Sequence, residues 1–142
     1  MTQLTLQQAN RIIEGALAKA REMKLRPLGV VVLDESGHLK AAQREDAASM
    51  FRIDIATGKA WGAVAMGASS RTLAARAKDN PNFFVTLAAT AGGKFLPQTG
   101  AVLIRNASGE LLGAAGASGG TGEEDEAVCI HGIEHAGLVA ES

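Results

Sequence analysis

Three histidines, one lysine in an apolar setting and one arginine at a strand end carry most of the chemistry this chain offers. His131 and His135 stand four apart in "CIHGIEHAG", and with Glu134 they spell H-x-x-E-H, the spacing of an inverted zinc-protease motif. On a helix the two imidazoles share a face and are placed to grip one metal ion. A protease of that kind needs a third ligand and a long rigid helix lining a cleft. The only other histidine is His38, and Gly132 interrupts the motif; both count against a protease. The polar side of a last helix is the plain alternative. Cys129 beside it reads as a small buried hydrophobe. Lys59 lies in "IATGKAW" among apolar and small residues. A lysine desolvated there binds an anion or acts as a base of lowered basicity, unless its stem snorkels and the ammonium reaches solvent or a carbonyl. Arg44 in "QRED" is suited to a bidentate grip on a carboxylate, or to an ion pair within the fold or at an interface. Gly92 and Gly93 in "AGGKFLPQTG" offer backbone amides to a ligand oxygen. The loop is neither G-x-G-x-x-G nor a Walker motif.

These residues must be positioned by regular elements, and the pattern supplies them. "LTLQQANRIIEGALAKAREMK" reads as a helix, with Thr5 and Gln8 at capping-box spacing and Leu6, Ala9, Ile13, Ala16 and Ala20 recurring every three or four residues. Leu28 to Leu33 is an apolar, β-branched strand, "DESG" a turn, and "HLKAAQR" a more polar returning strand, so His38 begins the second arm of a hairpin. A helical region follows from Ser49 to about Arg76, in which Gly58, Gly62 and Gly67 mark breaks or close packing. "FFVTLAATA" is a short helix, and "KFLP" offers an extra short strand. "AVLIRNASGELLGAAGAS" repeats the hairpin signature. The last helix starts on an acidic turn, with Ser118 or Thr121 as its cap. Hairpins separated by helices predict an α+β fold with an antiparallel sheet.

The bulk numbers bound the partners. With 142 residues the chain is the size of a single domain, taken as 1–142. A formal net charge of −1 leaves no electrostatic footprint for nucleic acid or an anionic membrane. A single cysteine excludes an intrachain disulfide. The first residues, "MTQLTLQQAN", lack the basic and apolar regions of a signal peptide, and no run of about 18 apolar residues exists to span a membrane. A cytoplasmic location is expected.

The residues also carry a family likeness over nearly the whole chain. "LTLQQANRIIEGALAKA", "VVVLDESGHLKAAQRED", "DIATGKAWGAVAMG" and above all "GGKFLPQTGAVLIRNASGELLGAAGASGGTGEEDEAV" resemble the GlcG/HbpS-like group, which includes the C-terminal domain of PduO-type proteins. The resemblance implies an antiparallel sheet of about five strands flanked by helices, in a profilin/PAS-like style, in homo-oligomers that often reach octamers. It also implies haem as a cofactor, since some members bind haem and have been linked to its degradation or to redox sensing. The resemblance counts against the protease more than Gly132 or the lack of a further histidine does. On that footing His38 is the first axial ligand to test, set against a surface histidine beside a turn. His131 and His135 come second, holding haem iron or a divalent ion at a subunit interface. Arg44, which with Asp46 matches the family's R-x-D element, and Lys59 would anchor the propionates, with Phe51, Trp61, Phe83, Phe84 and Phe95 as the aromatic supply. An enzyme without haem is the alternative, moving a proton on a carboxylated metabolite as a tautomerase or lyase does. Arg44 then binds the carboxylate, Lys59 or His38 moves the proton, and the Gly92 and Gly93 amides stabilise an oxyanion or enolate. A third reading is an oligomeric accessory protein whose glycines serve packing.

Overall fold

The computed structural model describes residues 2–142. It contains five helices and one five-stranded sheet: α1 (Leu6–Glu22), β1 (Gly29–Asp34), β2 (Leu39–Arg44), α2 (Phe51–Met66), α3 (Ser70–Asp79), α4 (Pro81–Thr90), β3 (Ala101–Arg105), β4 (Leu111–Ser118), α5 (Gly122–His135) and β5 (Val139–Glu141). The strand order is β2-β1-β4-β3-β5, and each neighbouring pair is antiparallel. The α+β fold with an antiparallel sheet expected from the hairpins, and the five strands flanked by helices that the resemblance implies, are what the chain adopts.

The sheet is covered on both faces. Val30, Val32, Val102, Ile104, Ala115 and Ala117 pack under α1 and α5, while Val31, Leu33, Leu103 and Ala114 pack under α2. Because both faces are covered, β1 and β4 are buried almost throughout and read as unbroken apolar runs rather than alternations. Small residues let the layers close. A Cβ on Gly132 of α5 would run into the Ile12 carbonyl oxygen of α1, and one on Gly116 of β4 would run into the Ala56 oxygen of α2.

Local signals explain the helix ends. In α1 the Thr5 hydroxyl accepts from the Gln8 N–H and the Gln8 side chain accepts from the Thr5 N–H, both at 3.0 Å. Its buried stripe is Ala9, Ile12, Ile13, Ala16 and Ala20, whereas Leu6 stays exposed at the first turn. Thr121, not Ser118, caps α5, with Glu124 completing a second capping box.

Three expectations need correction. The helical region of residues 49–76 is two helices, because Gly67 takes a left-handed conformation (φ 65°) and closes α2. "KFLP" forms no strand. The fifth strand is the C-terminal Val139–Glu141, which pairs with the β3 edge and is too short, at three residues, to stand out as an apolar run. Phe51 is exposed, and the buried face of α2 runs through Ala56, Lys59, Ala60 and Ala63. Among the described residues no helix is long and apolar enough to cross a membrane.

Candidate functional site

The β1–β2 turn sets the first candidate residue. The Asp34 carboxylate accepts from the Ser36 N–H at 2.9 Å and the His38 N–H at 3.0 Å, so the turn is held from inside by one side chain. His38 projects from it with its side chain 80% exposed, and its Nδ1 stands 3.9 Å from the Asp34 carboxylate, beyond hydrogen-bond reach. Both ring nitrogens are therefore open to a ligand. Beneath the imidazole is a cavity of about 820 Å³ between the turn, α2 and the loop after α4. Leu33, Leu39, Trp61, Phe95 and Leu96 give it apolar walls. Lys94 stands at its rim with Nζ 5.9 Å from the Trp61 ring centroid, a cation–π distance.

Lys59 belongs to a different place. It is 5% exposed, and its Nζ donates to the Ala117 carbonyl and to the Asp125 carboxylate, each at 3.1 Å. Of the two ends allowed for its stem, a carbonyl or solvent, the ammonium reaches the carbonyl. The pair closes around the end of β4, joining α2 on one face of the sheet to α5 on the other. Gly100 makes room for it: a Cβ there would lie 2.6 Å from the Lys59 Nζ. Asp125 also accepts from the Gly120 N–H at 2.9 Å. Burial raises its carboxyl above the ordinary value, opposed by the Lys59 ammonium and that N–H. Arg52, seven residues before Lys59 on α2, donates from Nη1 to the Ser118 hydroxyl at 3.0 Å. A second cleft of about 430 Å³ opens over Arg52, Lys59, Ser118 and Asp125.

Arg44 joins neither group. Its Nη1 donates to the Ala48 carbonyl at 2.6 Å, and it lines a third hollow with Arg21, Glu45 and Asp46. The expected convergence of His38, Arg44 and Lys59 on one ligand is therefore corrected: the three side chains line three separate cavities. The Gly92 and Gly93 amides are also committed, donating to the Ala89 and Ala88 carbonyls as the closing turn of α4. Their left-handed conformations (φ 67° and 79°) serve that turn. His131 and His135 are exposed on α5, with His135 Nε2 3.6 Å from the Glu14 carboxylate of α1. Among the described residues no three His, Cys, Asp or Glu side chains gather to hold a metal ion. Cys129 is fully buried, and burial drives its thiol well above the ordinary value, as a small core residue.

Sequence reasoning missed Lys94, Arg52 and Asp125. Lys94 was hidden behind the two glycines before it. Asp125 lay in an acidic helix start that the helix dipole already accounts for.

The chain matches the family described as "Haem degrading protein HbpS-like" over residues 4–134. It belongs to the HbpS-like family. Among solved HbpS-like folds, a double mutant of Streptomyces reticuli HbpS is 27% identical, with 94% of this chain and 87% of that one covered and a TM-score of 0.80. A complex of PduOC with haem has a TM-score of 0.86 at 23% identity, covering 99% of this chain and 100% of that one. Klebsiella pneumoniae ORFY gives 0.86 at 23% identity, with 96% and 93% covered. These last two share the HbpS-like fold, and their identities carry nothing beyond it. No curated protein matches the sequence.

Proposed function

We propose that this protein binds haem in the cavity beneath His38. The observation that carries the reading is an imidazole with no hydrogen-bond partner, standing over apolar walls that include Trp61 and Phe95. The HbpS-like family, described as haem-degrading, supports it, and the PduOC structure that shares the fold is a complex with haem. The residues fit the group. Its planar macrocycle needs apolar and aromatic walls, its iron a neutral nitrogen, and its propionates a cation at the rim. His38 supplies the nitrogen, Leu33, Leu39, Trp61, Phe95 and Leu96 the walls, and Lys94 the cation. When bound, haem supplies a redox-active iron.

The chain's own part is to hold and orient. The Asp34 turn fixes the His38 backbone at the mouth of the cavity, and Trp61 forms part of the pocket wall and faces the Lys94 ammonium. Exposure of His38 and of Leu39, at 63%, leaves one edge of the bound group open. That suits uptake and release more than a permanently enclosed prosthetic group. A homo-oligomer belongs to the same proposal, with a second copy shielding that edge. Light scattering after size exclusion tests it, and a monomer with and without hemin refutes it.

Titrating the purified protein with hemin is expected to give a shifted Soret band that saturates near one equivalent per cavity. His38→Ala is expected to lose the shifted band, and Lys94→Ala to weaken binding about twofold to fivefold, the range of a rim ion pair. Absence of a shift at micromolar hemin, or an unchanged spectrum in His38→Ala, would overturn the assignment.

A further inference from the structure

The cleft over the Lys59–Asp125 pair is not used by haem in this reading, yet it lies over an ion pair whose two side chains are both buried. Two cations of α2, two helical turns apart, converge on consecutive residues at the end of β4: Lys59 on the Ala117 carbonyl and Arg52 on the Ser118 hydroxyl. One buried carboxylate balances them. Both Asp125 oxygens are occupied, Oδ2 by Lys59 and Oδ1 by the Gly120 N–H. The other acidic group of the cleft, Glu123, sits exposed at its mouth.

Counting donors and acceptors then gives a direction. An ammonium has three N–H bonds, and Lys59 spends two on protein acceptors. A guanidinium has five, and Arg52 spends one, on a hydroxyl rather than a carboxylate. The cleft therefore presents unspent charged donors beside a buried carboxylate paired through both oxygens, with Ile55 and Leu96 as short apolar walls and Gln98, Thr99 and the exposed Glu123 completing the lining. The four unspent N–H groups of Arg52 and the one left on Lys59 suit a guest that accepts hydrogen bonds and carries negative charge on a small carbon frame.

We infer that this cleft is a second binding site, for a small carboxylate carrying an oxo or hydroxyl oxygen next to the carboxyl group. Arg52 takes the carboxylate, and the remaining Lys59 proton is donated to the neighbouring oxygen. The raised Asp125 carboxyl fits a site where charge is held away from water, but the lining alone defines the guest.

Pyruvate is the probe, followed by amide chemical shifts of the full chain at millimolar concentrations. Saturable shifts are expected at Arg52, Thr99 and Gly120. Arg52→Gln is expected to weaken binding about tenfold or more, the loss of a charge-assisted pair, while still taking up hemin. Arg44→Gln is expected to leave pyruvate affinity unchanged. Pyruvamide, which has the same shape without the charge, tests the wild-type protein directly and should bind far more weakly. Equal affinity for pyruvamide, shifts that survive Arg52→Gln, or no saturable shift at all would overturn the inference.

Discussion

Removing the Lys59 ammonium would leave the Asp125 carboxylate buried without its counter-charge. Lys59→Met is expected to lower unfolding stability near neutral pH by about 3–5 kcal/mol, measured by urea denaturation. The pH dependence has a definite sign. Burial already holds the Asp125 carboxyl above its unfolded value, and loss of Lys59 raises it further. A carboxyl raised in the native state favours folding most below its unfolded value, about 4, and that benefit fades as pH rises through the native value. The variant should therefore recover stability as pH falls from neutral toward about 4, by more than the parent protein does. A parallel loss at both pH values would contradict this account. The sequence marked Lys59 as unusual from its apolar neighbours, but could not name its partner. Asp125 lies 66 residues away, and nothing local in "GEEDE" separates it from the solvated acids beside it.

Helix packing depends on what is missing from side chains as much as on what is present. In α5, Gly132 lets the helix backbone ride directly on α1, so Gly132→Ala forces a Cβ into the Ile12 carbonyl. Overpacking of this kind costs about 1–3 kcal/mol or more, and a melting curve should show it despite the better helix propensity of alanine. Thr121→Ala acts elsewhere on the same helix. It removes the hydroxyl that accepts from the Glu124 N–H and leaves the backbone arm of the box, at about 1 kcal/mol, with fraying confined to the first turn. Caps and hairpins were legible in advance because their signals are contiguous: Thr5 with Gln8, "DESG" and "NASG" each fall within a few residues. The Gly132 motif was legible as a pair of helical histidines, and the exposure of both is what that reading predicts for a polar face. The break at Gly67 and the pairing of Val139–Glu141 were not legible. The first depends on which of three glycines turns left-handed, and the second on a neighbouring edge supplied by β3.

Across the whole molecule, stability is unevenly shared. The sheet and its three covering helices hold the two large apolar clusters, whereas α3 and α4 rest on a small one built from Leu73, Phe84 and Phe95. Arg71 ties α3 to α5 through a two-armed hydrogen-bonded pair with Glu126, whose carboxylate raises the Arg71 guanidinium further above its ordinary value. Hydrogen exchange should thus find the α3 and α4 amides opening well below the global unfolding free energy, with α1, β1 and β4 exchanging last. Arg71→Ala should speed exchange in α3 and leave β1 unchanged; equal protection everywhere would refute the division.

Leu96 stands on the border between the two chambers, forming a wall of the His38 cavity and of the Arg52–Lys59 cleft. Its N–H is pinned to the Gly58 carbonyl at 3.2 Å, and its side chain lies where a Gly58 side chain would otherwise be. If the two proposed guests occupy these chambers, the shared partition is where they would meet. Whatever factor pyruvate imposes on the dissociation constant of hemin, hemin must impose on that of pyruvate, by thermodynamic reciprocity. Titrating each at saturating levels of the other yields one coupling factor measured twice, and Leu96→Ala, which thins the wall, should change it in both titrations together.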